Sequence, residues 1–135
     1  MRGRVVEYKD NDKVVEIPTG TAEGENEKTT TGMLPFVYVG KGNDQKKDYG
    51  DKVVKNKIVL AERGGASFND KAELAASLGA KGIVIFNSKD GSQLSFMSGM
   101  ENKNFPSVFI SYQDGQKLIN LQKTNPDQQL SLIHI

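Results

Sequence analysis

Two short apolar runs dominate the middle of the chain, residues 58–61 (Ile-Val-Leu-Ala) and residues 83–86 (Ile-Val-Ile-Phe). Neither alternates with polar residues, which is the pattern of strands buried on both faces. Between them Phe68, Ala72, Ala75 and Ala76 recur at the spacing of one helical face. Ser67 and Asp70 form a capping box that starts a helix at Phe68, and Gly79 ends it as a residue able to take the left-handed conformation. The three alanines let the helix axis lie close to a sheet while Phe68 anchors the first turn. On this reading Asp70, Lys71 and Glu73 point toward solvent. Two buried strands joined by a helix run parallel, and their crossover is right-handed.

The flanking pattern is more broken. Residues 4–8 begin a strand-like alternation, and residues 14–17 form a second short strand between Asn11-Asp12 and Pro18. Residues 19–32 are Gly, Thr and Glu with almost nothing apolar, so they read as a mobile loop. The next strand, residues 34–40, puts Phe36 and Tyr38 on one face and Val37 and Val39 on the other. Residues 41–51 are a polar turn region. After Asn87 comes a long loop, residues 88–104, containing Phe96, Met97 and Met100. Loops of that length in small domains are binding elements or poorly ordered. Residues 105–110 resume as a strand. Ser111 and Asp114 repeat the capping-box spacing and begin a helix carrying Leu118, Ile119 and Leu121, which ends over residues 123–126. Residues 130–135 close the pattern as a strand. Six or seven strands and two helices make a mixed α/β fold in a single domain, 1–135.

Length and charge narrow the function classes. A chain of 135 residues buries roughly 68% of its unfolded surface without metals or disulfides. The net charge is +1, from 18 Lys plus Arg against 17 Asp plus Glu, and the longest basic run is Lys46-Lys47. That argues against a nucleic-acid partner. There is no apolar run long enough to insert in a membrane. Cysteine is absent, which excludes disulfides, thiol catalysis and thiolate metal sites together. The chain stops within an apolar strand and starts another almost at once, so it reads as a domain excised from a longer protein, with Met1 supplied for expression, and residues 4–8 and 130–135 are expected to be neighbours in one sheet.

Catalytic chemistry is hard to assemble from these residues. The one histidine, His134, shares a strand face with Leu130 and Leu132, and reads as a half-buried strand residue rather than a triad base or zinc ligand. Asn43, Asp44, Asp48 and Asp51 have the wrong spacing for a calcium loop and are interrupted by Lys46 and Lys47. The turn Arg63-Gly64-Gly65 precedes a helix N-terminus, the context for an anion. It lacks the third glycine of a dinucleotide fingerprint, and Asn87 stands where a ribose-binding acid belongs. No catalytic constellation, metal site or cofactor is expected.

These same residues carry a resemblance. Lys57-Ile-Val-Leu-Ala-Glu-Arg-Gly-Gly65, Ser67-Phe68, Lys71-Ala72, Ala75, Gly79-Ala80-Lys81-Gly82 and the run to Asn87 resemble the core of the protease-associated (PA) domain. Phe105-Pro-Ser-Val-Phe-Ile-Ser111 and the stretch from Asp114-Gly115 to Leu118 resemble its second half. The likeness covers roughly the last 80 residues well and the first fifty weakly. Many members have a cysteine where this chain has Ala66, which points toward cysteine-free bacterial members. Residues 53–57 and Asn125-Pro126 are similar to the PA insert of cell-envelope subtilisin-like serine proteases of Gram-positive bacteria. The fold the resemblance implies is a small β-sandwich or open barrel of six to seven strands with a βαβ unit and two flanking helices.

The resemblance also implies a role. In that family the domain interrupts the catalytic domain, contributes no triad residue and helps to govern which protein substrates reach the cleft. The implied partners are the catalytic domain of the parent protease and protein or peptide substrates, and the implied location is extracellular or cell-wall associated. PA domains also occur in sorting receptors, as peptide-binding modules, and in zinc aminopeptidases, so both remain alternatives. The candidate contact surface is the rim made by Arg63, Gly64, Gly65, Ala66, Ser67 and Phe68, joined by Phe96, Met97 and Met100. Helix N-terminal amides and the Arg63 fork suit a carboxylate or a peptide carbonyl, and the methionines offer adaptable apolar contact. The alternative is that Arg63 pairs internally and the loop only covers the core.

Overall fold

The computed structural model describes residues 4–10, 12–19, 32–89 and 105–134. Its strands are β1 (Arg4–Asp10), β2 (Lys13–Pro18), β3 (Leu34–Tyr38), β4 (Ile58–Glu62), β5 (Gly82–Phe86), β6 (Ser107–Ile110) and β7 (Gln129–His134). Its α-helices are α1 (Phe68–Ser77) and α2 (Tyr112–Thr124). Most of the expected loops 19–32 and 88–104, with Phe96, Met97 and Met100, lie outside the described residues.

Both helices start where their caps dictate. The Ser67 hydroxyl accepts from the Asp70 amide at 3.0 Å, and Ser111 does the same for Asp114 at 3.1 Å. Leu78 caps α1, and Gly79 follows with φ +91°. The α1 crossover joins β4 to β5 in parallel, with Val59 opposite Ile83 and Ala61 opposite Ile85.

The seven strands form one sheet in the order β2-β1-β7-β3-β4-β5-β6. β3, β4, β5 and β6 run parallel, whereas β7 is antiparallel to both β3 and β1. Alternation along the strands sorts two cores. Val59, Ala61, Ile83, Ile85 and Phe109 face α1 and pack on Phe68, Ala72 and Ala75. Ile58, Leu60, Val84, Phe86, Val108 and Ile110 face the other way, toward Leu118 of α2. Every side chain of β5 is buried, and fully burying each large apolar one contributes roughly 1.5–3 kcal/mol.

The second core also collects Val6, Tyr8, Ile17, Leu130 and Leu132 from the far half of the sheet. A Cβ on Gly82 of β5 would lie 3.1 Å from the Leu132 side chain of β7. The sheet therefore curls until its β2-β1-β7 half faces β5 and β6 across this core, giving the expected open barrel flanked by helices. Gly115 of α2 rests directly on the Phe86 ring, which sets how closely that helix approaches.

Residues 41–51 differ from the plain polar turn expected. They contain one π-helical turn, Gln45–Tyr49, whose Asp44 cap accepts from the amides of Lys46 and Lys47. Tyr49 is buried in the α1-side core, so this segment is a lid on that core as well as a turn.

Candidate functional site

The rim begins where β4 ends. The Arg63 amide donates to the Phe86 carbonyl at 2.8 Å, holding the turn to the end of β5. Gly64 and Gly65 then take φ +128° and +84°, a backbone course that only glycine follows without strain. A Cβ on Gly65 would also overlap the Asn43 amide, so this glycine serves a close approach as well as a turn. Gly64 and Ala66 form an isolated bridge, and Ser67 then opens α1.

Arg63 is exposed yet engaged. Its Nη1 donates to Asn87 Oδ1 at 3.1 Å, and its guanidinium lies 5.9 Å from the centroid of the Phe68 ring. Asn87 is buried, and the same oxygen accepts from the Ser88 amide at 2.9 Å. The internal pairing raised as an alternative is thus present, while the outer side of the guanidinium stays open to solvent. Gly65 and Ser67 are exposed, Gly64 and Ala66 half-buried, and Phe68 buried against Phe109 at 5.3 Å between ring centroids.

The main correction concerns Lys71. The sequence reading placed it in solvent, but it is fully buried. Its ammonium has three protons and finds three acceptors: Lys41 O at 2.5 Å, Asn43 Oδ1 at 2.5 Å and Gly64 O at 2.7 Å. Asn43 completes the knot by donating its Nδ2 to Gly64 O at 3.1 Å. One cation on α1 therefore ties the helix to the glycine turn and to the 41–43 segment. That segment is braced in turn by Asp48, whose Oδ2 accepts from the amides of Asn43 and Asp44 at 2.8 and 3.1 Å.

The electrostatics follow from this placement. Burial pushes the Lys71 ammonium down to about 8, with Lys41 acting in the same direction and Asp48 and Glu62 against it. At neutral pH it is charged, and the carbonyl dipoles aimed at it replace its water. Gly64 thus turns its carbonyl inward to a cation, a polarity opposite to that of a phosphate cradle. Nearby, Tyr49 has a buried hydroxyl with no partner among the described residues, and burial followed by Asp48 pushes that phenol up to about 12.

Sequence reasoning missed Lys71 because its charge outweighed its position. It stands three residues after Phe68 and four before Ala75, on the very face that packs inward, and that spacing was the available signal. Among the described residues there is no cluster of three or more metal-ligating side chains, and no helix is long and apolar enough to cross a membrane.

Comparison with known proteins sharpens the picture. The PA domain profile matches residues 30–118. Leucine aminopeptidase 2 of Arthroderma otae is 39% identical over 67 residues, 50% of this chain and 14% of that protein. The minor extracellular protease Vpr of Bacillus subtilis is 33% identical over 82 residues, 61% of this chain and 10% of that protease. The chain therefore spans only a small part of the length of these relatives. Among solved structures, an aminopeptidase from Aneurinibacillus sp. strain AM-1 superposes with a TM-score of 0.73 at 23% identity, over 99% of this chain and 31% of that one. A psychrophilic subtilisin-like protease from Pseudoalteromonas sp. AS-11 gives 0.60 at 16% identity, over 98% and 33%. At these identities the two structures speak for the fold, and they find it in two kinds of peptidase. The profile covers the whole βαβ unit, the glycine rim, buried Lys71 and the start of α2, and on that match the chain belongs to the PA domain family.

Proposed function

We propose that this PA domain is a non-catalytic accessory domain of an extracellular or cell-wall-associated subtilisin-like serine protease, where it helps to select protein substrates. The observation that carries the reading is the likeness to Vpr, an extracellular protease of which the matched segment is only a tenth. The fold suits such a role. β1 and β7 are paired, with Arg4 opposite His134, so the two strands that would join a host leave from one place on the sheet. In this reading the exposed rim of Arg63, Gly65 and Ser67 contacts substrate, with Gly64, Ala66 and Phe68 shaping it from beneath. Phe96, Met97 and Met100, which lie outside the described residues, complete the proposed surface.

The test is deletion of this domain from the parent protease, with a thermal melt to establish that the remainder folds. Contacts remote from the scissile bond act only on substrates long enough to reach them. Short chromogenic peptides are then cleaved at nearly the original kcat/KM, while folded protein substrates lose rate or change order of preference. Equal losses on short and long substrates in a folded deletion variant refute substrate selection. The isolated chain hydrolyses neither casein nor small amides, and cleavage that survives repurification would overturn the accessory reading.

A second parent is favoured by a specific observation, the 39% identity to an aminopeptidase together with the superposition on another. In that case the host is a zinc aminopeptidase. Inhibition of the parent by a chelator, rather than by a serine-directed reagent, distinguishes the two.

A further inference from the structure

Among the described residues two large apolar side chains are strongly exposed, Val14 at 53% and Val53 at 65%. A lone exposed valine is ordinary. Val53 is unusual in its surroundings, because it edges a recess of about 140 Å³ formed with Tyr49, Val54, Leu78 and the stems of Lys52 and Lys55. The recess lies at the C-terminal end of α1, a helix of 10 residues and hence about 15 Å from the rim at its N-terminus.

The charge around it is one-sided. Residues 41–57 contain six lysines and three aspartates, a net +3 in a chain whose total is +1, so the rest of the molecule sums to −2. Of these lysines Lys41 lies against Gly64 at the rim, and the others follow it toward the recess. Lys46, Lys47, Lys52 and Lys55 are exposed. Two of the three aspartates are occupied: Asp44 accepts from the amides of Lys46 and Lys47, and Asp48 from those of Asn43 and Asp44. Asp51 is the acidic side chain of this segment with no such internal role. The Lys57 carbonyl accepts from the Lys81 amide at 2.8 Å, which brings exposed Lys81 to the same end of α1. Lys55 packs its stem against Gly79, so part of the ring of charge is fixed to the helix cap.

We propose that this recess is a second interaction surface, distinct from the rim, which binds an acidic polypeptide segment with one apolar side chain seated between Val53 and Leu78. The lining mixes Gln45 and the lysines with apolar atoms of Tyr49, Val53, Val54 and Leu78, which favours a peptide over a pure polyanion that would use only the lysines. Separate ammonium groups on flexible stems suit scattered carboxylates better than the paired oxygens that an arginine fork recognises. The proposal does not depend on which protease carries the domain, nor on the rim binding anything.

The experiment is a titration of the isotope-labelled 135-residue chain with a seven-residue peptide, Glu-Glu-Asp-Leu-Glu-Asp-Glu, followed by amide shifts. The expected result is a saturable shift centred on Gln45, Gly50, Val53 and Leu78. Affinity falls about two- to fivefold for Lys52→Glu and again at raised salt, the size of exposed charge pairs. It falls about fivefold or more when the peptide leucine becomes serine or when Val53→Ser is used. Val53 is exposed, so that variant keeps its fold, and its unliganded spectrum serves as the control. The proposal is overturned by no shift at millimolar peptide, by shifts centred on the rim, or by equal binding of the serine peptide or of polyphosphate.

Discussion

Replacing Lys71 by methionine removes three donors from one point while keeping most of the side-chain bulk. The acceptors left behind are two backbone carbonyls and the Asn43 amide oxygen. Hydrogen bonds from a charged donor contribute about 1.5–3 kcal/mol each. Against that stands the desolvation of the ammonium. A folded-state value of about 8, down from 10.5, corresponds to about 3 kcal/mol at neutral pH, and Lys71→Met relieves it. The hydrogen bonds win, and the variant is less stable by about 3 kcal/mol. For 135 residues that lowers Tm by about 10 °C. The pH dependence has a definite sign. Between about 8 and 10.5 the unfolded chain holds the Lys71 proton and the folded chain does not, so stability from this group rises with pH. The advantage of the native chain over Lys71→Met therefore grows across that window and shrinks as pH falls through 8. Thermal melts of both proteins at pH 7 and pH 9.5 measure it. A Tm difference under about 2 °C, or an advantage that shrinks between pH 8 and 10, refutes the reasoning.

Three further substitutions probe the same architecture. Gly65→Ala meets both a left-handed φ and the Asn43 amide, so calorimetry finds a loss of about 1–3 kcal/mol, with faster hydrogen exchange in residues 41–48. Gly115→Ala gains up to about 1 kcal/mol of helix propensity but drives a methyl into the Phe86 side chain, and chemical denaturation shows a net loss of about 1–2 kcal/mol. Tyr49→Phe deletes a hydroxyl without a described partner, so the variant melts at or above the native temperature, gaining up to about 1 kcal/mol. In the native chain burial followed by Asp48 pushes the Tyr49 phenol up to about 12, so its phenolate absorbance emerges near that pH.

The elements were legible because local chemistry marked them. Ser67 and Ser111 cap the helices they were expected to cap, and the runs at residues 58–61 and 83–86 pair in parallel across α1. The alternation of Phe36 and Tyr38 against Val37 and Val39 told the two faces of β3 apart. Strand order was legible only at the ends, where the first and last strands pair as expected; nothing local says that β7 also pairs with β3, a choice made by the closure of the second core around Leu130 and Leu132. At the rim, residue type predicted the turn and the cap correctly. It misplaced Lys71, because a lysine is buried only where three acceptors converge, and those come from segments 7, 28 and 30 residues away. The π-helical turn was hidden for a similar reason, as its polar sequence gives no sign that Tyr49 turns inward.

The interior position of β5 has a consequence for the newly made chain. Residues 82–86 carry no charge and no proline, and every side chain is destined for burial, which is the composition of a segment that stacks with copies of itself. Its two sheet neighbours are β4, which precedes it, and β6, which is not synthesised until residues 107–110. During synthesis one edge of β5 therefore waits, open, for some twenty residues. Lys81, the charge immediately before the strand, stands as a gatekeeper against intermolecular pairing in that interval.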